Sequence, residues 1–330
     1  MSDPSPPVLV STPERKSVQL EVTAKEAGSR LDLFLANRLE ASRRDVRRWL
    51  EGGRVSERGR VLGLGDKGVP VTAGACLVVE NLPPPGGARI QAEPHAPLQV
   101  LAEGDGWIAV DKPAGVPVHP LHDGEVGTVL NAVAARHPEI LGVGEGELRS
   151  GVVHRLDVDT SGVLLVATQA LAWERLREAF RTHRVQKVYR ALVSGQPDWP
   201  KLHSIELGLR VAQHRPARVR VVSAERSVGG GREGWVAQQE MRVLEILGGC
   251  ALVEVRPRTG FLHQIRVSLA HLGHPVLGDR TYAGQETFPG ATRHMLHAAR
   301  VEVDEIRAEA PEPEDFRSLL ARLRAGVAAG

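Results

Sequence analysis

The stretch GVVHRLDVDTSGVLLVA, Gly151 to Ala167, constrains this chain more than any other. Two apolar runs, Val152-Val153 and Val163 to Val166, are β-branched and Leu-rich, and they flank a short polar segment with turn chemistry at Ser161-Gly162. The pattern predicts strand, loop, strand. A loop held by two buried strands sets His154, Arg155, Asp157, Asp159 and Thr160 at a rigid edge, where side chains can be held to geometry. A guanidinium beside a carboxylate has two readings there. Arg155 favours the ionised form of a nearby Asp, and partial burial strips that carboxylate of water and keeps it reactive. The same residue types equally describe an ion pair that only stabilises the loop.

At 330 residues the chain is long enough for two domains, and 42% hydrophobic with 25% charged residues is an ordinary globular composition. Cys76 and Cys250 lie far apart and form no metal-type pair, which argues against a disulfide framework and fits a reducing cytoplasm. No basic start with an apolar core opens the chain, and no run of about 18 apolar residues occurs, so a soluble, cytoplasmic, monomeric protein without membrane contact is expected. Net charge is only +2, but between Arg30 and Arg60 nine Arg face five Asp or Glu, so that window carries +4 and the remainder sums to −2. Local positive charge on a small module suits a polyanion-binding domain, because phosphate contacts supply most of its affinity. A solvated helical face is the plain alternative.

Along the chain, residues 1–17 are rich in Pro and Ser and predict a disordered tail. Residues 18–81 form the first unit. Ser29-Arg30-Leu31-Asp32 and Ser42-Arg43-Arg44-Asp45 both have the form of a capped helix start. On the second helix Arg43, Arg44, Arg47 and Arg48 cluster on one side, and Val46, Trp49 and Leu50 on roughly the other. Short strands are expected near Val69–Val71 and Leu77–Val79. Residues 82–97, rich in Pro and Gly, predict a linker, and 98–330 the main domain. Within it, helical spacing at Leu171, Leu176, Ala179 and Phe180 is followed by strand-like alternation over Val185–Val193 and by an amphipathic helix through Val267, Leu269 and Leu272. Residues 228–234 suggest a mobile loop. His271-x-x-His274 and His294-x-x-His297 could each offer two nitrogens to a metal, with Asp279 as a further ligand, but no H-E-x-x-H or Cys-His arrangement accompanies them and no metal is expected. No nucleotide-binding glycine motif is present either.

The loop HRLDVDTSG resembles the signature of the RluA-type pseudouridine synthases. DKPAGVPVHP (Asp111–Pro120), QKVYRALV (Gln186–Val193), TGFLHQIRVSLAHLGHPVLGDRTY (Thr259–Tyr282) and HMLHAARV (His294–Val301) match the same family in the same order. Residues 18–81 resemble the S4 RNA-binding domain through SRLDLFLANRL and SRRDVRRWLEGGRV, with departures at SERGRVL and AGACLVVE. Together these imply an α+β protein: a small S4-like αα-β RNA-binding domain, then a pseudouridine-synthase domain built on a mixed, mainly antiparallel sheet with flanking helices. The resemblance also implies cofactor-free isomerisation of uridine in structured RNA, with large-subunit ribosomal RNA the first candidate and transfer RNA the second. It makes Asp157 the essential carboxylate, Arg266 its basic partner and Tyr189 the ring that stacks on the flipped base. Leu296 would line the pocket, while His154 and Arg155 would serve the active-site loop, Arg155 holding the RNA backbone or the opened nucleotide. Phe261 stands where the family has an arginine. The competing expectations are a non-catalytic RNA-binding or ribosome-assembly factor and, through the histidine pairs, a metal-dependent hydrolase.

Overall fold

A computed structural model describes residues 8–12, 15–39, 41, 43–80, 89–199, 201–214, 216–223, 234–284 and 288–326. The chain divides into two units, Met1–Ala88 and Arg89–Gly330. In the first, β1 (Val8–Thr12), β2 (Arg15–Glu21), β3 (Val55–Glu57), β4 (Arg60–Leu62) and β5 (Cys76–Glu80) form an antiparallel sheet in the order β1-β2-β5-β3-β4. Helices α1 (Leu31–Arg38) and α2 (Arg43–Glu51) pack Phe34, Leu35, Val46, Trp49 and Leu50 against Leu20, Leu77 and Val79 of the sheet. The apolar side of the basic helix is therefore the buried one, as its periodicity predicts.

Three expectations for this unit change. Strand β1 occupies part of the stretch that composition assigns to a tail, because Val8, Val10 and Thr12 are strand formers next to a free edge of β2. Helix α1 starts without a Ser29 cap: Arg30 precedes it, and the N–H groups of Leu31 and Asp32 donate instead to the carbonyls of Val69 and Lys67. That use of the 67–69 backbone, together with Pro70, leaves Val69–Val71 with one bridge to Arg30 rather than a strand. Ser42 lies outside the described residues.

Among the described residues the second unit is built on ten strands. They are β6 (Gln99–Gly104), β7 (Trp107–Lys112), β8 (Ser161–Ala167), β9 (Gln186–Ser194), β10 (His203–His214), β11 (Ala217–Val222), β12 (Trp235–Leu247), β13 (Cys250–Pro257), β14 (Leu296–Val303) and β15 (Ile306–Glu309). Their order is β11-β10-β12-β13-β9-β14-β8-β7-β6, with β15 beside β14, and among the described residues only β14 with β8 runs parallel. The sheet is mixed and mainly antiparallel, in an α+β arrangement with α3 (Val129–Arg136), α4 (Ala170–Arg181), α5 (Gln264–His271) and α6 (Glu314–Arg324). Strand β8 is buried over its whole length. Leu164 and Val166 enter one core and Val163, Leu165 and Ala167 another, as a continuous apolar run requires of a strand covered on both faces.

The run before the polar loop is not a full strand. Val152 bridges Val166, but the carbonyls of Val152 and Val153 accept from Trp173 and Arg177 of α4, and the Leu165 N–H donates to the ring Nε2 of His154 at 2.9 Å. Side chains have taken the place of a ladder. Leu171 is 80% exposed, and Ala172 fills the core position instead. The expected linker also divides. Residues 81–88 lie outside the described residues, whereas 89–97 belongs to the second unit: Ile90 is buried and the Glu93 N–H donates to the carbonyl of Asn131. Apolar Ile90 is the exception that the Pro and Gly composition conceals. The described residues include no helix long and apolar enough to cross a membrane. Residues 228–233 lie outside them.

His297, fully buried on β14, lies between Ser161 Oγ at 3.0 Å from Nδ1 and the Ala310 carbonyl at 3.1 Å from Nε2. Burial pushes its pKa from 6.5 down to about 4. Between those values the unfolded chain binds the proton and the folded protein does not, so the neutral ring's full contribution is present above pH 6.5 and is lost as pH falls toward 4. The loss is on the order of 3 kcal/mol. Urea unfolding should show a falling midpoint from pH 7 to pH 5, and His297→Gln, which cannot take up the proton, should make that slope shallower while the buried His154 and His294 keep the rest of it.

Candidate functional site

Residues 154–160 leave the bridge at Val152 and enter β8, and three groups hold the turn. Lys112, at the end of β7 and fully buried, donates from Nζ to the carbonyls of Pro113 at 2.8 Å, Val116 at 2.7 Å and Val158 at 2.7 Å. It staples the DKPAGVP segment to the loop. Burial drives its pKa down to about 8, while three carbonyls use all three ammonium hydrogens. Arg293 Nη1 donates to the Asp159 carbonyl at 2.9 Å, and Thr160 Oγ1 meets His294 Nε2 at 2.8 Å.

The loop turns the Asp157 carboxylate toward α5. Arg266 Nη1 donates to Asp157 Oδ2 at 2.9 Å, and from its other edge Nε and Nη2 form a two-bond fork onto Asp279 at 2.7 and 2.8 Å. Asp279 is held in turn by the N–H groups of Thr281 and Tyr282. Burial works against the Arg266 charge, yet the bonds and charge of Asp279 and then of Asp157 outweigh it and hold the guanidinium firmly protonated. Likewise burial alone would raise the Asp279 pKa, but Arg266 brings it below the usual carboxylate value. The line Asp157, Arg266, Asp279 thus grades from partly open to closed, with side chains 21%, 7% and 0% exposed. The outer carboxylate is the reachable one.

A pocket opens over Asp157 and is also lined by Tyr189, Leu296, His263, Phe261 and Arg266. Its floor follows from strand register. Tyr189 on β9 pairs with Ala298 of β14, and Ala298 with Gly162 of β8, which sets the ring beside the start of β8 and the Asp157 loop. Gly162 has φ +112, and a Cβ there would lie 2.2 Å from the Ala298 carbonyl, so this approach of β8 to β14 requires glycine. Burial, then the Asp157 charge, raises the Tyr189 phenol's pKa and keeps it neutral. The predicted residues Asp157, Tyr189, Arg266 and Leu296 therefore come together, and Arg155 lines the same pocket from the exposed part of the loop.

His154 is placed differently. Its ring stacks on Phe180 with centroids 4.7 Å apart, its Nε2 is occupied by the Leu165 N–H, and burial pushes its pKa down to about 3. It borders a neighbouring cleft with Arg155, Lys187, Arg177 and Arg181. Arg43, Arg47 and Arg48 are exposed on α2 and pair with Asp32, Glu51 and Asp45 of their own unit; the Arg44 side chain lies outside the described residues. Three of the four histidines considered for metal binding have other partners: His294 meets Thr160, His297 meets Ser161 and Ala310, and His274 Nδ1 lies 3.0 Å from the Ser194 carbonyl. Asp279 anchors Arg266 instead.

Sequence reasoning missed the roles of Asp279, Lys112, Lys187 and His263. Lys187 is buried at the pocket wall, donates to the Thr259 carbonyl at 2.9 Å, and burial brings its pKa down to about 8. A lysine in an alternating strand pattern, at the position of Lys187 or Lys112, signals an unusual burial. For Asp279 no local pattern exists, because its partner is 13 residues away on another element.

The family model described as RNA pseudouridylate synthase matches residues 106–271. An RNA pseudouridine synthase of Chloroflexus aurantiacus, itself uncharacterised, is 35% identical over 310 residues, which span 92% of each chain. The ribosomal large subunit pseudouridine synthase D of Pseudomonas aeruginosa is 32% identical over 92% of this chain and 95% of its own. Among solved structures, human RNA pseudouridylate synthase domain containing 1 aligns with a TM-score of 0.51 at 25% identity, over 69% of this chain and 95% of its own. Motif order, sheet and relatives agree along most of the length, and this protein belongs to the RluA-type RNA pseudouridine synthases.

Proposed function

We propose that this enzyme isomerises specific uridines of large-subunit ribosomal RNA, with Asp157 as the reacting carboxylate. The observation that carries the reading is the Asp157–Arg266 pair: a partly open carboxylate that accepts a hydrogen bond from a guanidinium that a second, closed carboxylate locks in place. The name of the Pseudomonas aeruginosa relative supports the choice of RNA. Uridine and pseudouridine are isomers. The N1–C1′ bond breaks, the base turns, a C5–C1′ bond forms, C5 loses a proton and N1 gains one. No electron or group has to be supplied, so no cofactor is invoked. Tyr189, a neutral ring beside Asp157, suits stacking on the detached base, and Leu296 gives that base an apolar wall. Arg155, exposed at the mouth, is placed for a phosphate of the opened strand. In the first unit the αα-then-strands order fits an S4-like RNA-binding module, whose exposed arginines on α2 would exchange weak surface ion pairs for phosphates at little cost. Family membership and the intact pair speak against a purely binding role.

Asp157→Asn keeps size and shape but cannot act as nucleophile or base. It should bind RNA nearly normally while release of tritium from RNA made with 5-tritiated uridine falls by on the order of a thousandfold or more. Asp159→Asn, a neighbouring loop carboxylate, should stay active. If the Asp157 variant releases tritium at near wild-type rate, or the Asp159 variant is the dead one, the assignment is wrong.

Replacing Arg43, Arg44, Arg47 and Arg48 together by Gln should weaken RNA binding and reduce the slope of log affinity against log salt by up to about 3, at roughly 0.7–0.9 per phosphate contact. Turnover at saturating RNA should persist. An unchanged slope would mark that face as merely solvated. Activity should also survive EDTA, and loss of turnover restored by zinc would refute the cofactor-free reading.

A further inference from the structure

Arg266 is not the only donor aimed at Asp157. His263 precedes α5 with φ 54, a left-handed conformation that turns its ring back over the pocket. Its Nε2 lies 3.8 Å from Asp157 Oδ2, the same oxygen that accepts from Arg266. On the ring's other side Nδ1 lies 2.9 Å from the Tyr282 hydroxyl, and that hydroxyl accepts the Val219 backbone N–H at 2.9 Å.

This chain has a direction. The Val219 N–H can only donate, so the Tyr282 oxygen accepts there, and among the described residues the phenolic hydrogen has no acceptor other than His263 Nδ1, to which it is assigned. Nδ1 is then the acceptor, and the ring hydrogen resides on Nε2, facing Asp157. Burial also lowers the His263 pKa and keeps the ring neutral, though geometry alone sets the tautomer. Both donors converge on Oδ2, and no donor among the described residues reaches Oδ1.

We infer that His263 is a positioning residue: with its tautomer set by Tyr282, it joins Arg266 in holding Oδ2 and so presents Oδ1 to the nucleotide. The inference rests on the reading of Asp157 as the reacting carboxylate. In the occupied site the 3.8 Å separation shortens, as catalytic hydrogen bonds do on substrate binding. Tyr282 also lies under the Arg266 guanidinium, its ring centroid 5.3 Å from Cζ, so a phenyl ring in its place keeps that packing and removes only the hydroxyl.

The test is steady-state tritium release from 5-tritiated-uridine RNA by the full-length protein and four variants, with thermal melts to establish folding. His263→Leu should lower kcat by about tenfold to a hundredfold, the worth of one hydrogen bond to a charged group, with KM for RNA within about twofold. His263→Gln, whose Nε2 donor takes the place of the ring N–H, should recover most of that loss. Tyr282→Phe should lower kcat by roughly threefold to tenfold, since the tautomer is no longer imposed. Asp157→Asn separates the two readings. If it is active, the carboxylate assignment falls. If it is dead while His263→Leu or Tyr282→Phe turns over like wild type, or if the Gln and Leu variants are equally impaired, the His263 inference alone falls. Should the Leu variant not fold, the Tyr282→Phe and Gln turnover numbers decide.

Discussion

One buried guanidinium organises the second unit. Arg266 sits 6% exposed on α5 and spends its two edges on two carboxylates from different parts of the chain, Asp157 and Asp279. Removing a charge of this kind from water is costly, and only near-complete pairing recovers the cost; breaking such a set by deleting one partner typically costs about 3–5 kcal/mol. The pairing here is unequal in a useful way. Asp279 forms the two-bond fork and also accepts two backbone N–H groups, so the arginine's position is set from the closed side. Asp157 receives what is left, a single bond on one oxygen, and keeps its outer side toward the pocket.

A second buried cation does the same for the backbone. The Lys112 ammonium binds three carbonyls, two from the DKPAGVP segment and one from the Asp157 loop, and so fixes the loop to the end of β7 without using any carboxylate. Its nearest acids remain available to other partners. With β8 covered on both faces, the loop has little freedom left, and the side chain of Asp157 inherits that rigidity. The Tyr189 ring belongs to the same frame, because Gly162, Ala298 and Tyr189 lie in register across β8, β14 and β9.

The expected non-catalytic role loses its ground once family membership is established, and of the histidine pairs His294 and His297 are engaged by Thr160, Ser161 and Ala310. Phe261 packs against Trp235 with centroids 4.5 Å apart and ring planes tilted by 31°, and closes one wall of the pocket with apolar surface. Trp235 is 39% exposed, so this wall continues to the protein surface.

The sequence by itself determined the local matters. An unbroken apolar run demands a strand covered on both faces, and Val163–Val166 is one; amphipathic spacing places Val46, Trp49 and Leu50 in a core and Arg43, Arg47 and Arg48 outside it. The motif resemblance went further and chose Asp157, Tyr189, Arg266 and Leu296, which the fold gathers around one pocket. What only the tertiary structure decided are relations between distant residues. Periodicity cannot show that a helix start is satisfied by the carbonyls of Val69 and Lys67, that His154 replaces a strand as the partner of Leu165, or that Ile90 packs against the second unit. Nor can it show that Asp279 holds Arg266, or that Tyr282 and Val219 orient His263, because each of those bonds joins groups whose separation along the chain carries no signal. A hydrogen bond's direction depends on where every neighbouring donor has already been spent, and that is a property of the folded chain.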